Sequence, residues 1–313
     1  MNEAFKQDVD KGLSSSPKQL LSKYFYDEVG DALFVKIMNM PEYYLTNAEY
    51  EIFTQQAESI INAFEVEGEA LELIELGAGD GTKTIELLKV LQHKADFTYI
   101  PIDISQNALD LLTERLSKEV PGVKVSPLQG DYFSVLSEIK EHTARKVVLF
   151  LGSNIGNMLD HNARRFIQQL TEQLNKGDKL LLGVDLKKDA GIILPAYNDA
   201  QGITRAFNLN LLTRINRELG GNFDIDRFEH RPLYNEVLGQ AESYIQSTAE
   251  QDVYIEATGK TYHFDKDERI HMEISRKYDD NAIKDITADT GLQLKQKFTD
   301  SKNYFADYLL AMQ

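Results

Sequence analysis

Residues 73–81 read Leu-Ile-Glu-Leu-Gly-Ala-Gly-Asp-Gly, an apolar run that breaks into three alternate glycines. Gly77, Gly79 and Gly81 let a backbone pass close to a ligand where a Cβ would collide. Thr82 stands where a dinucleotide fingerprint would carry its third glycine. Asp103 follows Gly77 by 26 residues, at the end of the next apolar run. A carboxylate at that point can accept hydrogen bonds from both hydroxyls of a ribose. Such chemistry suits any nucleoside, a nicotinamide dinucleotide included, so these residues leave the class of ligand open. They also admit plainer readings, a tight strand-to-helix turn and a helix cap at Asp103, and Asp131 further on can be read simply as a turn residue.

These residues need a scaffold, and the sequence supplies one. Short apolar runs recur at Leu71–Leu76, Phe97–Ile102, Val123–Leu128, Lys146–Leu151 and Lys179–Val184. Between them lie amphipathic segments such as Thr82–Gln92 and Gln106–Glu119. Parallel strands covered by helices on both faces read as near-continuous apolar runs, and strands alternating with helical patterns indicate βαβ units. The pattern predicts a doubly wound α/β sheet. Near the end, Gly291–Thr299 and Tyr304–Met312 are two strand-like runs joined by Asp300–Asn303. So short a turn permits only an antiparallel hairpin. Residues 188–277 interrupt the α/β pattern with a helix-like segment at Ala196–Leu219, then strand-like runs at Glu242–Ser247, Val253–Ala257 and Ile270–Lys277. This is expected to be an inserted α+β domain, packed with the first 48 residues over the mouth of the sheet, where open α/β sheets bind ligands.

Composition removes several alternatives. The 313 residues carry 34 Lys plus Arg against 50 Asp plus Glu, a net charge of −16. Nucleic acids and anionic membrane surfaces are therefore unexpected partners. There is no cysteine, which excludes disulfides, thiolate catalysis and Cys-ligated zinc. The six histidines are nowhere at metal-ligand spacing, so no metal is expected. The N-terminus lacks the pattern of a secretory signal, and no run of 18 apolar residues occurs. A cytoplasmic protein is expected.

An α/β sheet closed by an antiparallel C-terminal hairpin resembles the class I, Rossmann-like fold of methyltransferases dependent on S-adenosyl-L-methionine (SAM). In that arrangement Asp131 and Tyr132, after the third strand, stand where a carboxylate meets the adenine amine and a ring meets the base. The resemblance sharpens to one family, the histidine Nα-methyltransferases of ergothioneine biosynthesis, which trimethylate the α-amine to hercynine. It is carried by Lys23–Asp27 (KYFYD), Met40–Thr46 (MPEYYLT), Glu75–Thr84, Pro101–Ile104 (PIDI), Phe150–Asn157 (FLGSNIGN), Leu182–Asp189 (LGVDLKKD), Ala196–Asp199 (AYND), Phe207–Phe223, Phe228–His230 (FEH) and Glu273–Lys277 (EISRK). The resemblance implies that Glu75, Gly77, Gly79, Lys83, Asp103, Asp131 and Tyr132 form the cofactor site. It implies that Tyr43, Gly152, Asn157 and Tyr197 hold the amino-acid backbone, with Tyr26 and Asn157 at the amine and Tyr43 and Tyr197 at the carboxylate. Glu273 and Ser275 would read the side chain. As i and i+2 on a predicted strand they share a face, and a carboxylate with a hydroxyl can bond both nitrogens of an imidazole.

The resemblance further implies a monomer built of a methyltransferase domain (residues 49–187 and 278–313) and a substrate-binding domain (residues 1–48 and 188–277). Ser243, thirty residues before Glu273, stands where an apolar Met is expected in histidine-specific members. A methyltransferase for another amino acid, such as an aromatic one, is therefore the nearest alternative. A nicotinamide-dependent oxidoreductase fits the hairpin and the glycine spacing less well, and a non-catalytic amino-acid or nucleoside binding module is the third reading.

Overall fold

The structure is a computed structural model that describes residues 3–66, 68, 70–140, 142 and 144–313. The chain divides into two compact units, Met1–Tyr44 with Lys188–Ser275, and Leu45–Lys187 with Arg276–Gln313.

The second unit is built on a sheet whose strands lie in the order Leu292–Thr299, Phe305–Met312, Lys179–Asp185, Arg145–Phe150, Leu71–Leu76, Phe97–Asp103 and Lys124–Val125, with Leu128–Gln129 also paired to Phe97–Asp103. All neighbours are parallel except at Phe305–Met312, which runs antiparallel to both of its partners. The order reverses at Leu71–Leu76, so the chain leaves the sheet in opposite directions there and opens a crevice at the strand ends. The strand's alternation explains its double burial. Leu71 and Leu73 face one core, with Ile52, Phe53 and Leu87, while Ile74 and Leu76 face another, with Val148, Phe166 and Tyr308. The helix Tyr44–Ala63 buries Leu45, Ala48, Glu49, Ile52, Phe53, Ala57, Ile60 and Ile61, a stripe of helical period. Glu49 is thereby carried inward with its apolar neighbours.

One strand expected as continuous is split. Val123–Leu128 appears as Lys124–Val125 and Leu128–Gln129, because Pro127 between them has no N–H for the ladder.

The first unit contains a sheet in the order Lys18–Gln19, Arg269–Arg276, Gln240–Ser247 and Phe228–Asn235, and a separate hairpin of Gln251–Ile255 and Lys260–Phe264. Its core gathers Phe5, Phe25, Phe207, Leu212, Phe228, Ile245, Ile270 and Met272. The helix expected over Ala196–Leu219 is two helices, Ala190–Tyr197 and Ile203–Leu219. Asp199 sets the second start by accepting hydrogen bonds from the Ile203 and Thr204 amides at 2.8 Å each. The two-residue strand Lys18–Gln19, parallel to Arg269–Arg276, has no apolar pattern to announce it.

Candidate active site

In the second unit the glycine loop follows directly from Leu71–Leu76. The Gly77 amide donates to the Ile102 carbonyl at 2.8 Å, which ties the loop to the next strand. Gly77 has φ +74°, and a Cβ there would stand 2.7 Å from the Tyr132 hydroxyl and 3.5 Å from Asn154 Nδ2. Glycine is required on both counts. Asp103 closes its strand with one carboxylate oxygen accepting from the Gly79 amide at 3.2 Å and the other from the Ser105 amide at 2.9 Å. Ser105 in turn caps the helix Gln106–Glu119 by accepting from the Ala108 amide.

Tyr132 is half-buried, with its ring edge-on to Phe150 at 6.0 Å and to Phe166 at 6.3 Å. Burial, aided by the Asp103 charge, pushes its hydroxyl up to about 12. The phenol is thus a neutral donor beside the glycine loop. Asp131 precedes it as an exposed cap of the helix Tyr132–Ile139, accepting from the Ser134 hydroxyl and, at 3.1 Å, the Ser134 amide. The Ser134 hydroxyl and amide hold its carboxyl below the usual range.

Lys83, the residue before helix Thr84–Leu91, pairs with the buried Glu49. Burial works against its charge, but the Glu49 charge and hydrogen bond hold its pKa above the ordinary lysine value. Glu49 also accepts from the Gly152 amide, at 2.9 and 3.1 Å to its two oxygens. Gly152 has φ +70°, and a Cβ on it would lie 3.6 Å from Lys83 Nζ and 3.8 Å from Asn154 Oδ1. Gly77, Tyr132, Asn154, Gly152 and Lys83 therefore border one space, closed on no side by a side chain from either glycine. Asn154 was not singled out by sequence, although it lies within the matching FLGSNIGN stretch. Asn157 ends the 3-10 turn Asn154–Asn157 and is exposed.

Glu75, the acid before the loop, lies inside the unit rather than at its surface. Its carboxylate is 3% exposed and accepts from the Thr84 hydroxyl at 2.7 Å and from the Tyr99 hydroxyl. It points beneath the loop, into the core shared by Leu73 and Tyr99, because strand alternation puts residues 71, 73 and 75 on one face. Its bond to Thr84 ties the end of the strand to the following helix. Burial pushes it up to about 7, against the opposing bonds from Tyr99 and Thr84.

In the first unit, Tyr197 at the end of its helix donates from its hydroxyl to Ser275 Oγ at 2.8 Å. Glu273 is half-buried on the same strand, and alternation places it with His271 and Ser275, opposite Ile270 and Met272. His271 lies 3.9 Å from Glu242 and edge-on to Tyr244, and burial lowers its pKa against the Glu242 charge. Tyr43 is half-buried against the core of this unit. Tyr26 is 42% exposed and edge-on to Phe34 at 5.5 Å and Phe207 at 5.7 Å. Ser243 is buried between Ala241 and Ile245 on the strand Gln240–Ser247, opposite Pro232 of the next strand.

The residues of the second unit fit a SAM-type ligand: two glycines clear its path, Lys83 offers a cation for a carboxylate, and Asp103 offers acceptors for a ribose. Among the described residues no group of three potential metal ligands occurs, and no helix is long and apolar enough to cross a membrane.

Comparison with known proteins agrees with this geometry. Residues 5–312 match the family described as histidine-specific methyltransferase, SAM-dependent. The chain is 36% identical over 309 residues to a histidine N-alpha-methyltransferase of Mycobacterium tuberculosis (strain CDC 1551 / Oshkosh), covering 98% of this chain and 95% of that one. It is 30% identical to ergothioneine biosynthesis protein 1 of Schizosaccharomyces pombe, covering 94% of this chain and 39% of that longer protein. It is 28% identical to an L-tryptophan methyltransferase, trpM, of Psilocybe serbica, covering 93% of this chain and 88% of that one. A full-length family match and a 36% identical relative leave one assignment: this chain belongs to the SAM-dependent, histidine-specific methyltransferases, enzymes whose methyl donor is S-adenosyl-L-methionine.

Proposed function

We propose that the protein methylates the α-amine of L-histidine three times, giving Nα,Nα,Nα-trimethylhistidine. The observation that carries the substrate is the polar face of Arg269–Arg276, where Ser275 is fixed by Tyr197 and Glu273 stands two residues away. A hydroxyl and a carboxylate on one strand face can engage both imidazole nitrogens. The relative that acts on histidine, aligned over nearly the whole chain, supports the same substrate.

SAM supplies a methyl group on a sulfonium, which an amine takes by in-line displacement. The nitrogen lone pair forms the N–C bond as the C–S bond breaks, and the bonding pair leaves with sulfur. The amine must arrive without its proton. Tyr26 and Asn157 hydrogen-bond the amine and aim its lone pair, and the proton leaves through water, since neither residue is a base at neutral pH. Tyr43, Gly152, Asn157 and Tyr197 hold the amino-acid backbone. Lys83, Asp103, Tyr132 and the Gly77–Gly79 backbone hold the cofactor, with Asp131 at the adenine. Fixing two reactants in this way can contribute roughly 7–11 kcal/mol to rate enhancement. In this reading residues 49–187 and 278–313 form the methyltransferase domain and residues 1–48 and 188–277 the substrate-binding domain, in a monomer working in the cytoplasm.

Isothermal titration calorimetry with S-adenosylhomocysteine (SAH) present tests the substrate. Histidine is expected to bind saturably, and Glu273→Ala to weaken it by about tenfold or more, the loss of one charged hydrogen bond. Absence of histidine binding, with tryptophan or another amino acid binding instead, would overturn the substrate while leaving the reaction intact. Mass spectrometry of the product counts the methyl groups.

A further inference from the structure

Behind Lys83 lies a buried acidic pair that the cofactor site does not account for. Glu49 and Asp307 are both 0% exposed. Asp307 sits on the strand Phe305–Met312 opposite Gly183, and a Cβ on Gly183 would collide with Glu49 Oε1 and stand 2.9 Å from Asp307 Oδ1. The two carboxyl groups thus converge on the space that Gly183 leaves free. Glu49 is fully engaged, by Lys83 and by the Gly152 amide. Both oxygens of Asp307 are buried with no hydrogen-bond partner among the described residues.

Charge bookkeeping decides the state of this cluster. One ammonium faces two fully buried carboxyl groups, with the buried Glu75 also within electrostatic reach of Lys83 and Glu49. Two like charges this close in a low dielectric do not both ionise. Glu49 has the cation and the amide, so the proton resides on Asp307. Burial and the Glu49 charge raise the Asp307 carboxyl well above its usual range, while Lys83 pulls the other way.

We propose that Glu49 and Asp307 are positioning residues of the cofactor site: Glu49 aims the Lys83 ammonium and the Gly152 backbone together, and Asp307 holds a proton that keeps the cluster neutral, so that Lys83 can receive the carboxylate of an amino-acid-bearing cofactor. Neither residue touches the reacting atoms. Were Asp307 ionised, Lys83 and its two acids would carry a net negative charge and repel that carboxylate. The inference rests on the reading of Lys83 as a cofactor residue, and it extends that reading to two acids from the helix Tyr44–Ala63 and the strand Phe305–Met312. Among the described residues the neighbouring titratable groups include Glu75 and, bonded to it, Tyr99, from the two adjacent parallel strands, and Asp185, two residues from Gly183 on its strand and paired with the buried Lys277 at 2.7 Å.

The test is calorimetric binding of SAH to the full chain at a series of pH values from acid to alkaline, over the range in which the chain stays folded. Wild-type affinity is expected to weaken as pH rises and Asp307 loses its proton. Asp307→Asn, which mimics the protonated acid, is expected to remove that part of the pH dependence; titration of the ligand's own amine is common to both proteins and cancels in the comparison. Glu49→Gln is expected to raise the Kd about tenfold across the range, the equivalent of one charge-assisted hydrogen bond. Thermal unfolding is recorded for each variant. If Glu49→Gln does not fold, Glu49→Asp, which keeps the charge but retracts it from Lys83 and Gly152, is expected to bind SAH more weakly than wild type. Identical pH profiles for wild type and Asp307→Asn, or wild-type affinity in the Glu49 variant, would overturn the proposal. Lys83→Met separates the two levels. If it binds SAH as wild type does, Lys83 is not a cofactor residue and the proposal falls with it; if it weakens binding while the acid variants do not, only the role of the acids is lost.

Discussion

Glu75 carries a stability prediction that can be worked through in sign and size. Its carboxyl is buried beneath the glycine loop and pushed up to about 7 from a reference of 4.5. Below pH 4.5 the group is protonated in both folded and unfolded chains, so it contributes no pH-dependent difference. Between 4.5 and about 7 the folded chain keeps a proton that the unfolded chain releases, so stability falls as pH rises. Above about 7 the folded chain holds a buried carboxylate and the whole penalty is present. The gap between 4.5 and about 7 corresponds to roughly 3 kcal/mol.

Glu75→Gln removes that penalty while keeping the shape. A carboxamide presents one oxygen and one NH2, so it can accept from Tyr99 and donate to Thr84, much as the protonated acid does. The variant is expected to match wild type near pH 4.5 and to be more stable by roughly 3 kcal/mol at pH 8, a rise in Tm of about 5 °C for a chain of this size. The assay is thermal or urea unfolding of both proteins at several pH values, read as the difference between them, which cancels the titration of every other group. A Glu75→Gln chain that is equally stable at pH 8, or whose advantage does not grow from pH 4.5 to 7, would refute a buried, proton-holding Glu75.

Three further expectations concern the loops and the strand face. Gly77→Ala places a methyl 2.7 Å from the Tyr132 hydroxyl at φ +74°, whereas a Cβ on Gly79 meets nothing within 4 Å. Gly77→Ala should therefore weaken SAH binding by about tenfold or more, and by more than Gly79→Ala, whose cost is mainly the ~1–2 kcal/mol of its left-handed backbone; calorimetry on both ranks them. Tyr197→Phe and Ser275→Ala break the same hydrogen bond, so their losses in histidine affinity should overlap by about 1 kcal/mol in a double-mutant cycle, and strict additivity would contradict a shared role. Asp199→Ala removes the acceptor of two amides at the start of Ile203–Leu219 and should cost about 1–2 kcal/mol in urea unfolding, the range of a strong helix cap.

Much of the fold is written locally. Four of the five apolar runs become strands buried on both faces, the fifth being split at Pro127, and the C-terminal hairpin follows from a turn too short for anything else. The cofactor loop is legible because its constraint is backbone geometry, and glycine at a left-handed φ leaves a mark that a single sequence shows. The errors have local causes too. Ala196–Leu219 has an unbroken helical period, and only the capping of the Ile203 and Thr204 amides by Asp199 shows where the chain restarts. Pro127 ends a ladder that its apolar neighbours would continue. Glu75 is a different case: its motif places it at the cofactor site, and period-two alternation adds where its carboxyl lies, on the face of Leu71 and Leu73 with Thr84 and Tyr99 as partners.

What sequence reading could not supply is the setting of Lys83. Its nearest acid comes from the helix Tyr44–Ala63, where Glu49 shares a buried stripe with Leu45, Ala48, Ile52 and Phe53 and so resembles a misplaced surface residue. Asp307 lies in Phe-Ala-Asp-Tyr-Leu-Leu-Ala-Met, a run that reads as a central strand with one polar flaw. A single chain does not reveal that these two flaws meet over Gly183, because the pairing arises only when Phe305–Met312 docks against Lys179–Asp185. Burying an unpaired carboxyl costs stability. A residue of that cost, placed within electrostatic range of Lys83, has its effect on ligand charge rather than on packing. Replacing Asp307 by Asn should therefore stabilise the chain at high pH, where the wild-type acid ionises, and at the same pH should strengthen SAH binding relative to wild type. A gain in stability without any gain in affinity there would show the acid to be a relic of packing.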